Sequence, residues 1–297
     1  MRWLIMLLGV LWCASAWAEP AGSPNDAARR FEVEADAALA VVKAPFFTSA
    51  FPRVEAHGFV LELHGYYALS ADWLVGANAP LSAMNVRQPA GSYLREAAWG
   101  NPGVFARRRL APDWLRSRQL QAWAGASLGL PLAEHGPAGS LFENRALEAA
   151  NAARSYLDPG SFTPSVLPLT LEASIDTHRG RFTAEGTLAA PLLLRLADAE
   201  LPSETRRHRL GFWPNLRLVG SADAWTFLRF SLEADAAVAV ARVFEPQRPT
   251  SRLQLSLRPG VLFRLGRRFD IGLTFVAPIA GPLGGSAYGG VLALSLH

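Results

Sequence analysis

The sequence predicts an all-β protein: a transmembrane antiparallel up-and-down β-barrel of about twelve strands, with ten to fourteen open, whose outer face meets lipid. Three observations carry that prediction. First, of 297 residues half are hydrophobic and 18% charged, with mean hydropathy +0.13. Yet no apolar run beyond the extreme N-terminus approaches the roughly 18 residues that a spanning helix needs. Second, apolar and polar residues alternate with period two over most of the chain, as in strands with two unlike faces. Third, the alternating segments run about 10–14 residues, against a usual five or six in soluble sheets and about 9–11 for a tilted bilayer crossing. The same composition excludes a disordered chain. A periplasmic soluble β-sandwich is the rival, because it also alternates; strand length favours the barrel.

The N-terminus reads as an address. Arg2, the apolar stretch Trp3–Trp12 and the small-x-small site Ala16-Trp17-Ala18 form a secretory signal peptide over residues 1–18, cleaved after Ala18. The stretch is too short for the alternative, an uncleaved anchor. The only cysteine, Cys13, lies inside it, so a mature chain has no disulfide to lean on. Trp12 before that cysteine does not fit the small residue of a lipoprotein signal. A short periplasmic segment, 19–30, follows, and residues 31–297 make the barrel.

Charge narrows the function classes. Lys43 is the only lysine among 29 basic residues, and 25 acids offset them. Arginine suits densely paired, partly dehydrated carboxylates better than lysine does. A formal net charge of +4, spread along an exported chain, excludes nucleic acid as a partner.

The first predicted strand is Phe31–Val42, with Phe31, Val33, Ala35 and Ala37 opposing Glu32, Glu34 and Asp36. Five hairpins follow: 57–68 with 72–81, 101–110 with 115–131, 167–176 with 180–191, 208–219 with 225–241, and 251–265 with 268–278. Tyr288–Leu296 is the twelfth strand. The division of faces is clearest at 226–240, where Phe230, Leu232 and Val238 oppose Arg229, Ser231, Glu233 and Asp235. In 252–265, Leu253, Leu255, Leu257, Val261 and Phe263 oppose Gln254, Ser256, Arg258 and Arg264.

The connections alternate in length. Tight turns lie at 69–73, 110–114, 176–180, 220–225 and 265–270, rich in Asp, Gly and Pro. Trp73, Trp114 and Trp225 follow three of them, at the level where amphipathic rings meet a membrane interface. Long loops fall at 82–99, 133–165, 193–206, 242–250 and 280–286. Ala79-Pro80-Leu81, Leu130-Pro131-Leu132, Ala190-Pro191-Leu192 and Ala277-Pro278-Ile279 repeat one phrase, and proline belongs where ladder pairing stops. An even strand count, short turns on one side and long loops on the other match a bacterial barrel. Closure also removes exposed edges. Loop 133–165 carries one helix, Leu141–Leu157, stopped by Asp158-Pro159-Gly160; it forms either a surface cap or an inward constriction.

The hairpin phrase Tyr66-Tyr67-Ala68-Leu69-Ser70-Ala71-Asp72-Trp73-Leu74-Val75-Gly76-Ala77-Asn78-Ala79-Pro80 resembles the repeated hairpins of Gram-negative outer-membrane transporters. Those of the phenol-degradation-pathway type and generic porin-like proteins are the nearest. The resemblance spans most of the chain as pattern and assigns no substrate. It implies an outer-membrane location, lipid and the barrel-insertion machinery as partners, and transport of small solutes. Such barrels usually end on an aromatic residue read by that machinery, whereas this chain ends Leu294-Ser295-Leu296-His297.

No motif for chemistry stands out. The six histidines lack metal-ligand spacing. Gly284-Gly285 and Gly289-Gly290 lack the following Lys-Ser/Thr of a phosphate loop, and no Gly-x-Ser-x-Gly occurs. Neither a cofactor nor an enzyme activity is therefore expected, with a barrel lipid hydrolase built on His64 and a serine such as Ser70 as a lesser alternative. The expected lumen-lining residues are Glu62, Glu172, Arg181, Glu185, Arg217, Arg229, Glu233, Asp235, Arg252, Arg258, Arg264, Arg268 and Asp270. They admit two readings: an arginine-rich path for small polar or anionic solutes, or a lattice of salt bridges filling a non-conducting barrel. Pairing is needed in either, since a lone buried ion costs several kcal/mol.

Overall fold

Twelve long strands close on themselves because each finds an antiparallel partner on both edges. The computed structural model describes residues 31–42, 56–87, 93–110, 113–133, 159–196, 206–245, 252–266, 269–281 and 287–296. The predicted signal peptide, the segment 19–30, the helix Leu141–Leu157 and Arg268 lie outside those residues.

The strands are β1 (Phe31–Val42), β2 (Ala56–Ala68), β3 (Trp73–Arg87), β4 (Tyr93–Trp99), β5 (Gly103–Leu110), β6 (Leu120–Gly129), β7 (Val166–Arg179) and β8 (Phe182–Arg195). The second half holds β9 (Arg206–Arg207), β10 (Leu210–Phe212), β11 (Asn215–Trp225), β12 (Leu228–Val238), β13 (Phe244–Glu245), β14 (Leu253–Arg264), β15 (Phe269–Ala280) and β16 (Ala287–Leu296). The barrel runs β1-β2-β3-β5-β6-β7-β8-β11-β12-β14-β15-β16 and returns to β1, where Ala35 pairs with Leu294. No described helix is long and apolar enough to cross a membrane.

The period-two pattern sorts the faces. Leu171, Leu188, Leu218, Leu232, Phe275 and Leu292 point outward and are exposed, while Glu62, Ser82, Asp235, Ser256 and Arg258 are buried inside. Apolar surface thus lies outside and the enclosed centre is polar, the reverse of a soluble domain. A small apolar cluster of Val166, Leu193 and Val243, with Trp213 against it, sits at the long-loop end.

Several boundaries differ from the sequence reading. The predicted turn 220–225 is strand: β11 runs on to Trp225 and turns at Thr226-Phe227. The Ser-Ala-Asp composition looks like a turn, but Ser221 and Ala222 pair on both edges, and hydrogen bonds across the sheet outweigh that local preference. The turn after β7 is Gly180-Arg181, with Gly180 at φ 61, a conformation that glycine adopts without a Cβ penalty. The connection after β5 carries a short helix, Asp113–Ser117. In the predicted loop 82–99, β3 continues to Arg87 and pairs with β4.

Three of the four repeated prolines prove to lie within strands, whereas Pro131 follows the end of β6 at Gly129. Pro80 marks the point where β3 exchanges β5 (paired through Asn78) for β4 (paired from Leu81). Pro191 stands between the part of β8 paired with β11, through Ala189, and the part paired with β10, from Leu192. At Pro278 pairing with β14 continues, whereas pairing with β16 has stopped at Val276. A residue without N–H ends the ladder on one edge while the other edge carries the strand onward.

Candidate functional site

The inner wall is a set of ion pairs, and strand register builds them. Glu233 faces Arg258 across β12 and β14, one step from Asp235 opposite Ser256. Arg258 Nε lies 2.7 Å from Asp235 Oδ2, and its Nη1 lies 3.3 Å from Glu233 Oε1. Asp235 and Arg258 are only 2% and 10% exposed, so this knot is buried against the β12–β14 wall. Nearer the tight turns, Arg229 donates twice to Asp223, at 2.7 and 3.2 Å. Arg264 Nη2 reaches the same carboxylate at 3.3 Å.

On β8 and β11, Arg217 Nη2 lies 3.7 Å from Glu185 Oε1, with the two side chains 43% and 38% exposed. On the far wall Arg107 of β5 pairs with Glu172 of β7, reaching over β6. The residue between them is Gly125, in register with both. A Cβ there would meet Glu172 Oε1 at 2.7 Å and Arg107 Cγ at 2.8 Å. The same device recurs at Gly76, which lies between Tyr66 and Phe105 and lets their rings meet edge-on at 5.4 Å. Glycine on the middle strand lets side chains from both neighbours close over it.

The β1–β2 wall is acidic and aromatic. Tyr66 donates to Glu34 Oε2 at 3.2 Å. His64 stacks on Tyr66, with its Nε2 3.8 Å from Glu62 Oε2. Asp36 is in register with Glu62, which is fully buried.

The outer mouth is narrowed by chain. Asn101, buried, donates through Nδ2 to the carbonyls of Gly160 and Thr163 and accepts the N–H of Ala133, each at 2.8 Å. The short helix Pro159–Phe162 is wholly buried. A Cβ on Gly100 would strike the Ser161 carbonyl and the ring of Pro80, which shares the lumen face of Glu62. The described end of the long loop therefore lies on the inner side of the wall.

Of the expected lumen residues, Glu62, Glu172, Glu185, Arg217, Arg229, Glu233, Asp235, Arg258 and Arg264 take inner-face positions in the pairs above, and Asp270 faces Arg264 in register. Arg181 instead occupies the two-residue turn and is exposed. Arg252 precedes β14, exposed, and donates to the Val240 carbonyl at 2.9 Å. Sequence reading missed Arg107 and Asp223. Arg107 stands in register with inward Gly125, but the run Arg107-Arg108-Arg109 hides its parity; Asp223 was hidden in an apparent turn. Ser70 lies in the β2–β3 turn, its Oγ accepting from the Asp72 N–H at 3.2 Å, and is not brought to His64.

No protein-family model matches this chain, and no curated protein matches it by sequence. Solved structures do match in shape. An outer-membrane channel from Pseudomonas putida F1 superposes with TM-score 0.64 at 8% identity, over 93% of this chain and 99% of that one. The NanC porin gives 0.54 at 4% identity, over 89% and 99%. The transport unit of the autotransporter AIDA-I from Escherichia coli gives 0.52 at 12%, over 97% and 98%. The fold is that of an outer-membrane β-barrel. At such identities the likeness concerns the fold, and function must come from the wall itself.

Proposed function

We propose that the protein is an outer-membrane channel for small polar solutes. The observation that carries this reading is the exposure of lumen-facing charges: Arg107 and Arg217 are 41% and 43% exposed although both point into the barrel. Solvent-accessible space therefore borders the inner wall at both positions, one toward the tight-turn end and one toward the long-loop end. The likeness in fold to the Pseudomonas putida channel and to the NanC porin supports the same reading. Each lumenal arginine named above has a carboxylate partner, as in the salt-bridge lattice that is one of the two readings of the sequence, and the β1–β2 side is acidic. These features favour polar solutes over specifically anionic ones. Refolded protein in planar bilayers is expected to conduct, with weak ion selectivity from the reversal potential in a salt gradient; absence of conductance would overturn the reading.

The knot of Arg258, Asp235 and Glu233 supports a second reading, a closed structural barrel, which the same recording distinguishes. Export through a signal peptide cleaved after Ala18 and assembly by the barrel-insertion machinery belong to the proposal. The N-terminal sequence and membrane fraction of the mature protein test them.

A further inference from the structure

The outside of the barrel carries a groove that the lumen does not explain. It spans β7, β8, β11 and β12 at the tight-turn end and is a shallow, open groove of about 680 Å³. Register sets its shape in two rows. Thr177, Ala184, Gly220 and Leu232 stand side by side, and Phe182, Ala222 and Phe230 lie one step nearer the turns. Small residues make the floor; Phe182 walls one side and Phe230 with Leu232 the other, all three highly exposed. The surface of the groove is mainly apolar, and Arg179 is its charged lining residue.

At that rim the chemistry changes. Arg179 lines the end of the groove, and Arg181 follows in the turn; both are exposed and neither makes an ion pair among the described residues. Trp225 and Phe227 stack at 6.1 Å on the adjoining turn, both more than half exposed. Apolar groove, cations and aromatic pair thus lie together at the tight-turn end, with Arg179 in register with Phe182 and Trp225 nearer the turn; acyl chain, interface and phosphate call for those three kinds of surface.

We propose that this groove binds an anionic phospholipid of the leaflet on the tight-turn side, with an acyl chain on Ala184, Gly220 and Ala222 and the phosphate at Arg179 and Arg181. The inference rests on the barrel being membrane-embedded. A second copy of the chain is the other possible occupant of an apolar wall. A two-fold pairing through this groove brings the Arg179–Arg181 rims of both copies to one interface, and like charges oppose that.

Native mass spectrometry of refolded barrel with added phosphatidylglycerol tests the proposal. A Cβ at Gly220 meets nothing within 4 Å, so Gly220→Leu fills the groove without disturbing the wall; heat-modifiable gel migration checks folding. Wild type is expected to retain a phosphatidylglycerol that Gly220→Leu loses. Arg179→Gln with Arg181→Gln is expected to weaken retention about tenfold or more, with neutral lipid little affected. Equal retention by all three proteins overturns the proposal, as does a dimer that Gly220→Leu abolishes while lipid retention stays unchanged. Conductance of the same proteins is expected to be unchanged, because the groove lies outside the lumen. A non-conducting wild type that still binds lipid would refute the channel and leave the groove standing.

Discussion

Asn101 Nδ2 donates to the Gly160 carbonyl at 2.8 Å across a sequence separation of 59 residues, and this bond latches the long loop to the wall. The same side chain satisfies Thr163 and Ala133. Asn101→Ala leaves those buried backbone groups unpaired, at about 1–3 kcal/mol. Urea unfolding of the refolded barrel should show the loss. Bilayer recordings should show a larger or noisier conductance as the loop end leaves the mouth; unchanged recordings would mean that the latch does not gate the path.

Gly125 is predicted to be a steric requirement of the Arg107–Glu172 pair. Gly125→Ala places a methyl group where Glu172 Oε1 and Arg107 Cγ already lie, at 2.7 and 2.8 Å. The pair must separate or the wall must shift, so stability should fall by about 1–3 kcal/mol. Removing the pair first, with Glu172→Gln and Arg107→Gln, should make the later Gly125→Ala cheaper. Additive costs would show that the glycine serves something else.

The buried knot on β12 and β14 should behave asymmetrically. Asp235→Asn alone leaves Arg258 with less compensation at 10% exposure, and breaking such a pair costs about 3–5 kcal/mol. Asp235→Leu with Arg258→Met replaces charge by apolar volume and should recover much of that loss. Denaturation midpoints of the single and double variants provide the cycle.

Selectivity should respond to a more exposed pair. Glu185→Gln removes the partner of Arg217 at a level that water reaches. The freed guanidinium should move the reversal potential toward anions, and Arg217→Gln should move it the opposite way. Shifts of the same sign from both substitutions would count against a path along this wall.

Sequence by itself determined an all-β barrel of about twelve strands, with ten to fourteen open, the alternation of faces and the alternation of short turns with long loops; the closed sheet settled the count at twelve. The two alternations are local properties. A period of two assigns each side chain to lipid or lumen without reference to a partner strand. The prolines were legible too, though only as stops; that one edge stops while the other continues depends on which strand lies beside it. Tertiary structure alone decided the partnerships. Arg107 meets Glu172 because three strands align Arg107, Gly125 and Glu172 in one row. Asp223 joins the lumen because pairing with β8 and β12 extends strand through a turn-like sequence. The groove exists because Ala184 and Gly220, 36 positions apart, stand side by side. Register between distant strands is a property of the closed sheet, and no local window of sequence contains it.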